Sequence, residues 1–242
     1  MVLPENVTGV ASTGEDAEGR AGKAAETHCG ARPVPGRLQS PDSHAHSELP
    51  ADPTGMACAI PESGAPALCV LVTGATGGIG RELCAELARD HGVLALVGRS
   101  QDKLDELAKN LAERFGVGVR TFVADFAQPG AVDALASQVQ AANLQVETLV
   151  NNAGFGYDAP FAESSLERQR ALVRTNDMAL MELCHAFAPG MAARGHGGIL
   201  NVASVAGFVP GPHMSTYYAS KAFVQSFSSA LHMELRPHGV HV

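Results

Sequence analysis

The stretch that most narrows what this chain can become is Thr73-Gly74-Ala75-Thr76-Gly77-Gly78-Ile79-Gly80, which joins two different periodicities. Before it runs an unbroken apolar segment, Ala67-Leu68-Cys69-Val70-Leu71-Val72. After it, Ile79, Leu83 and Leu87 recur every four residues. The first pattern suits a strand covered on both faces and the second suits a helix. A strand, a glycine-rich turn and a helix leave unpaired N–H groups and a partial positive charge at the helix N-terminus, where a phosphate fits. Glycines let the backbone turn tightly and approach such a ligand. Gly74, Thr76, Gly78, Ile79 and Gly80 are the candidate contacts. The spacing T-G-x-x-x-G-x-G differs from the G-x-G-x-x-G fingerprint, so the turn alone also reads as a tight βα loop with no ligand.

The pattern continues. A second aliphatic run covers 92–97, and Leu104, Leu107 and Leu111 then mark a helix with Asp102 and Lys103 in its first turn. Strands are expected at 117–124, 146–150 and 199–202. Helices are expected at 129–142, with Pro129 near its first turn, over a long region 164–193, and at 215–236. Pro237-His238-Gly239 stops the last helix, and 240–242 begins something extended. Strands alternating with helices predict an α/β fold: one domain, 67–242, with a doubly wound parallel sheet.

Residues 1–66 contain no aromatic residue and eight of the fourteen prolines. Such a segment buries too little apolar area to offset its ordering entropy, so a disordered extension is expected there. His44 and His46 read as scattered tail histidines rather than a metal site, and no metal is expected elsewhere. The formal charge of −8 gives no basis for nucleic-acid binding. No apolar stretch has the length of a membrane span. The five cysteines, Cys29, Cys58, Cys69, Cys84 and Cys184, form no CxxC pair. Cys69, Cys84 and Cys184 read as buried small hydrophobes. No signal peptide is read, and a reducing cytoplasm is the expected location.

Ligands of such a sheet sit beyond the strand C-termini. The second strand ends in Gly98-Arg99-Ser100, where an NAD site would carry Asp or Glu. A guanidinium and a hydroxyl there suit a 2′-phosphate, which favours NADP(H) over NAD(H); the alternative is a solvated Arg99. Asp125, after the third strand, either accepts from the adenine amino group or caps a loop. Asn151-Asn152-Ala153-Gly154 is either a plain turn or a brace between strand ends with room for a ribose. Tyr217 and Lys221 lie four apart, on one helix face. An ammonium beside a phenol favours the phenolate and lowers its pKa from about 10. Tyr217 with Lys221 is therefore a candidate proton-transfer pair, and Tyr218, about 100° round the helix, is the poorer one. Ser204, ending the fifth strand, could hydrogen-bond a substrate oxygen. Phe155, Phe161, Phe208 and Met214 suggest an apolar pocket or plain packing.

From about residue 67 onward the chain resembles the short-chain dehydrogenase/reductase family. The resemblance rests on Thr73 to Gly80, Asn151-Asn152-Ala153-Gly154, Ser204 and Tyr217-Tyr218-Ala219-Ser220-Lys221. It implies a Rossmann-type fold and hydride transfer between NAD(P)(H) and a small-molecule carbonyl or alcohol substrate, small or hydrophobic. Tyr217 would be the acid/base and Ser204 would orient the substrate oxygen. Lys221 would bind the nicotinamide ribose and tune Tyr217. Asn176 would hold a water of the proton relay, or else be a helix-kinking or inter-helix polar residue. Family members continue beyond this chain's last residue, so C-terminal strands and a substrate cover are expected to be missing, and a homo-oligomer is left open for a completed chain. The rival expectations are a non-catalytic dinucleotide-binding module and an inactive fragment.

Overall fold

The structure, a computed structural model, describes residues 64–242. The expected extension, up to residue 63 and including His44 and His46, lies outside the described residues. In chain order the elements are β1 (Ala67–Thr73), α1 (Gly78–Leu87), β2 (Val93–Gly98), α2 (Gln101–Phe115), β3 (Gly118–Val123), α3 (Ala131–Ala141) and β4 (Leu144–Asn151). Then follow α4 (Leu166–Val173), a π-helical turn (Arg174–Met178), α5 (Ala179–Arg194), β5 (Gly197–Asn201), α6 (Ser215–Leu235) and β6 (Val240–His241). The strands form one parallel sheet in the order β3-β2-β1-β4-β5-β6. The order reverses between β1 and β4, which opens a crevice at their C-terminal ends.

Period-two alternation in the strands divides the core between two helical layers. Val70, Val72, Leu94 and Leu96 face Cys84 and Ala88 near α1 and Leu104, Leu107 and Leu111 of α2. Cys69, Leu71, Ala95 and Val97 face the other layer, with Leu135 of α3, Leu183 of α5 and Val224 of α6. Both faces of β1 and β2 are buried, which is why their sequences are apolar throughout. Cys69, Cys84 and Cys184 are free and buried, and burial pushes each thiol up to about 12. None of the described helices is long and apolar enough to cross a membrane.

Several expectations need correction. The buried stripe of α1 is Gly80 and Cys84, continued by Ala88; Leu83 and Leu87 are only partly covered and Ile79 is 64% exposed. Small residues on that stripe let the helix lie close to the sheet. Helix α3 starts after Pro129, with Gly130 in the left-handed region at its N-cap. The long helical region is broken in register by the π turn at 174–178. A sixth strand does form: Val240 and His241 pair in parallel with Gly197 and Gly198 of β5. Ser204 lies beyond the end of β5, at the N-cap of a 3-10 turn, Val205–Phe208.

Candidate active site

The end of β1 is fastened to the end of β4 by one buried hydroxyl. Thr73 Oγ1 donates to the Val150 carbonyl (3.2 Å) and accepts from the Asn152 and Ala153 N–H groups (both 3.0 Å). The Asn152 amide donates back to the carbonyls of Thr73 and Gly74, each at 3.0 Å. The Asn-Asn turn is thus a brace between strand ends. Asn151 completes it on the other side, donating to Asn201 Oδ1 at 2.9 Å.

This brace holds the glycine turn in a tight space. Gly74 has φ +63°, and a Cβ there would lie 2.9 Å from Ala153 Cα. A Cβ on Gly80 would collide with the Gly74 carbonyl, whereas one on Gly78 would meet nothing within 4 Å. The fold therefore needs Gly74 and Gly80, while Gly78 leaves open space at the start of α1. Gly80→Ala is expected to destabilise the chain by about 1–3 kcal/mol through overpacking. Gly78→Ala should leave the thermal midpoint in place and weaken dinucleotide binding. Thermal melts and dinucleotide titration of both variants check this pair.

A cleft of about 830 Å³ opens beside the turn. Its walls include Gly74, Thr76, Gly78, Ile79, Gly80, Arg99, Asp125, Asn152, Ala153, Gly154, Tyr217 and Lys221. The first turn of α2 places Lys103 on the same wall as Arg99. Among the described residues neither cation has an ion-pair partner. Lys103 was not singled out from sequence. Its signal was a cation in a helix's first turn, where the dipole favours acids. Ser100 is the N-cap of α2, makes no side-chain capping bond and is not part of the cleft wall. Asp125 lines the cleft but also caps its own loop, accepting from Ala127 N–H at 3.1 Å.

Tyr217 and Lys221 both reach the cleft, and the Lys221 ammonium lies 5.9 Å from the Tyr217 ring centroid. Tyr218 turns away and packs on Gly211, where a Cβ would strike its ring. Lys221 is 8% exposed. Its Nζ donates to the Val202 carbonyl at 2.7 Å. Burial pushes its pKa down, and the Asp177 charge offsets part of that effect. Gly156 lies against Tyr217 and Met214, and Ala159 N–H donates to the His213 carbonyl at 2.9 Å. Phe155 lines the cleft; Phe161 and Phe208 stand exposed outside it.

Asn176 is buried outside the cleft wall. Its Oδ1 accepts from Phe155 N–H, and its Nδ2 donates to the Phe155 carbonyl, both at 3.0 Å. Nδ2 also donates to Ser220 Oγ at 3.2 Å. The side chain therefore couples the loop after β4 to α6, which is the inter-helix polar alternative. Ser204 is not part of the wall, although its neighbours Val202 and Ala203 are. Its Oγ accepts from Ala206 N–H at 3.1 Å, and Gln225 donates to its carbonyl at 2.9 Å.

The family model described as short chain dehydrogenase matches residues 68–242. The very-long-chain 3-oxoacyl-CoA reductase of Phaeosphaeria nodorum is 41% identical over 176 residues, 71% of this chain and 52% of that protein. The chain spans about half the length of the curated relatives it matches. A short-chain dehydrogenase from Sphingobium yanoikuyae, solved in complex with NADPH, superposes with a TM-score of 0.67 at 38% identity, covering 72% of this chain and 68% of that one. An NAD+-bound xylitol dehydrogenase superposes with a TM-score of 0.65 at 27% identity, covering 73% of this chain and 67% of that one.

Proposed function

Because the chain belongs to the short-chain dehydrogenase family, we propose that it is an NADP(H)-dependent oxidoreductase that interconverts a ketone and its alcohol. The observation that carries this reading is one cleft shared by a phosphate-ready glycine turn and a tyrosine–lysine pair. The residues fit a dinucleotide. Gly78 leaves the start of α1 open. Arg99 and Lys103 stand at the end of β2, where a 2′-phosphate would lie, and Asp125, Asn152, Ala153 and Gly154 line the wall beyond. When bound, the nicotinamide supplies or takes up the hydride.

The chain's own residues handle the proton. Tyr217 O–H donates to the carbonyl oxygen as that oxygen gains charge. The Lys221 ammonium stabilises the phenolate left behind. Ser204, whose Oγ accepts from Ala206 N–H and keeps its own O–H to donate, would steady the substrate oxygen from outside the wall, and Asn176 holds the Phe155 backbone at the wall. A relative named as a very-long-chain 3-oxoacyl-CoA reductase and the apolar Phe155 on the cleft wall favour a ketone bearing a long apolar chain. The test follows NADPH absorbance with a panel of 3-oxoacyl thioesters and bulky and small ketones. Turnover of a chain-bearing ketone supports the reading. NADPH binding with no turnover across the panel would favour a non-catalytic dinucleotide-binding module.

A further inference from the structure

The π turn is a junction of which the proposed mechanism uses only one arm. Single-turn π segments interrupt helices mostly at functional sites, and the residues of this one reach in different directions. Asn176 holds the Phe155 peptide, on the loop after β4, and reaches Ser220 of α6. Thr175 lines the cleft, as does Ala171 one turn earlier. Arg174 reaches the loop after β3, where its Nη1 donates to the Ala127 carbonyl at 3.3 Å across 47 residues of sequence.

That loop forms one end of the cleft: Ala124, Asp125, Phe126 and Ala127 all line it. In the sheet, β3 and β5 are separated by β2, β1 and β4. Lys221, which donates to the Val202 carbonyl just past β5, marks the reactive end. The loop after β3 is therefore at the far end, where the adenosine of a dinucleotide would lie. Its backbone is gripped at Ala127 from both sides. The Ala127 N–H donates to Asp125 Oδ1 at 3.1 Å, and the Ala127 carbonyl accepts from Arg174. Among the described residues, Arg174 is the only side chain from outside the loop that hydrogen-bonds to it.

We propose that Arg174 is a positioning residue for dinucleotide binding: anchored in the π turn, its guanidinium holds the Ala127 carbonyl and so fixes the wall on which the adenosine end of the cofactor rests. The inference rests on the dinucleotide-binding part of the proposed function and not on its chemistry. Arg174 is not itself on the cleft wall, so it acts through the loop rather than by touching the ligand. Glu167 of α4 lies 4.0 Å from the same Nη1. That carboxylate is exposed, so it helps to aim the guanidinium and adds little energy of its own. Arg174 differs in this from Arg99. A cation that meets a 2′-phosphate tells NADPH from NADH, whereas a residue that shapes the adenosine end serves both alike.

The test compares the wild-type chain with Arg174→Met and Arg174→Lys. The Arg174 side chain is 38% exposed, so neither variant leaves a sealed cavity. Calorimetric titrations with NADPH, NADH and adenosine diphosphate are run at raised salt, where long-range charge is screened. Arg174→Met is expected to raise all three Kd values by one common factor of about three- to ten-fold, the worth of one ordinary hydrogen bond. Arg174→Lys keeps a cation and a donor and should recover most of that loss. Hydrogen exchange over residues 124–130 of the unliganded chain should quicken in Arg174→Met and stay near the wild-type rate in Arg174→Lys. Kd values unmoved by Arg174→Met overturn the inference and leave the functional reading intact. So does a loss confined to NADPH, which would make Arg174 a reader of the 2′-phosphate. A loss that lysine does not recover, with a lowered thermal midpoint in both variants, would be general packing and overturns it as well. A wild-type chain that binds none of the three probes overturns the functional reading itself, before any variant is compared.

Discussion

Tyr217→Phe is expected to lower turnover by about 10²–10⁴-fold, the usual worth of a positioned acid or base, while the Kd for NADPH changes little. The substitution removes one oxygen and keeps the ring. The contacts that the ring makes with Gly156 and the edge-on packing against Tyr218, with centroids 6.1 Å apart, should therefore survive. Loss of the O–H leaves the carbonyl oxygen with no acid where its charge develops. Lys221 is a poor substitute, since its Nζ is held by the Val202 carbonyl at 2.7 Å. Tyr218→Phe is the matched control. Its ring packs on Gly211 outside the cleft, so it should cost less than about threefold. Steady-state kinetics with a ketone that the wild type turns over, and a fluorescence titration with NADPH, check both. The opposite ranking of the two tyrosines would place the acid on the wrong residue.

Arg99→Ala is expected to raise the Kd for NADPH by roughly 10- to 100-fold and to leave NADH nearly unchanged. A hydrogen bond to a charged group is worth about 1.5–3 kcal/mol, and 1.4 kcal/mol is tenfold. Arg99 is exposed and without an ion-pair partner among the described residues, so removing it orphans no acid and should cost no stability. Lys103→Ala should act in the same direction but more weakly, because an ammonium cannot grip a phosphate with two parallel bonds. Both effects should shrink as salt rises, since both cations sit in water. Binding of NADPH that is indifferent to both substitutions would mean that the 2′-phosphate is read elsewhere. Family membership alone cannot choose here: one similar structure carries NADPH and another carries NAD+.

Much of this cleft was legible in the chain because it is written in neighbouring residues. The glycine turn is contiguous, and the Tyr217–Lys221 spacing follows from helical periodicity. The end of β2 announces itself with Gly98 and Arg99. Where the reading failed, a local pattern competed with packing. Ile79, Leu83 and Leu87 repeat at helical spacing, yet the face that packs on the sheet is Gly80 and Cys84. Hydrophobicity suggested the larger residues, but the short distance between α1 and β1 selected the smaller ones. Likewise, the unbroken helical composition of residues 164–193 hid the π turn, because an extra residue in a turn leaves no mark on an apolar pattern.

What the sequence determined by itself is the order of strands and helices, the doubly wound sheet and the identity of the glycine turn that lines the cleft. These follow from periodicity and backbone chemistry within a few residues. What only the tertiary structure decided are the partnerships across long separations. Thr73 meets Asn152 across 79 residues, and Asn176 meets Ser220 across 44. Lys103 joins Arg99 on the cleft wall, and Ser204 stands outside the lining. No spacing rule encodes such pairs. They exist because closing the sheet brings strand ends and helix starts from distant parts of the chain to one edge, where desolvation makes each polar group depend on the partner it finds there.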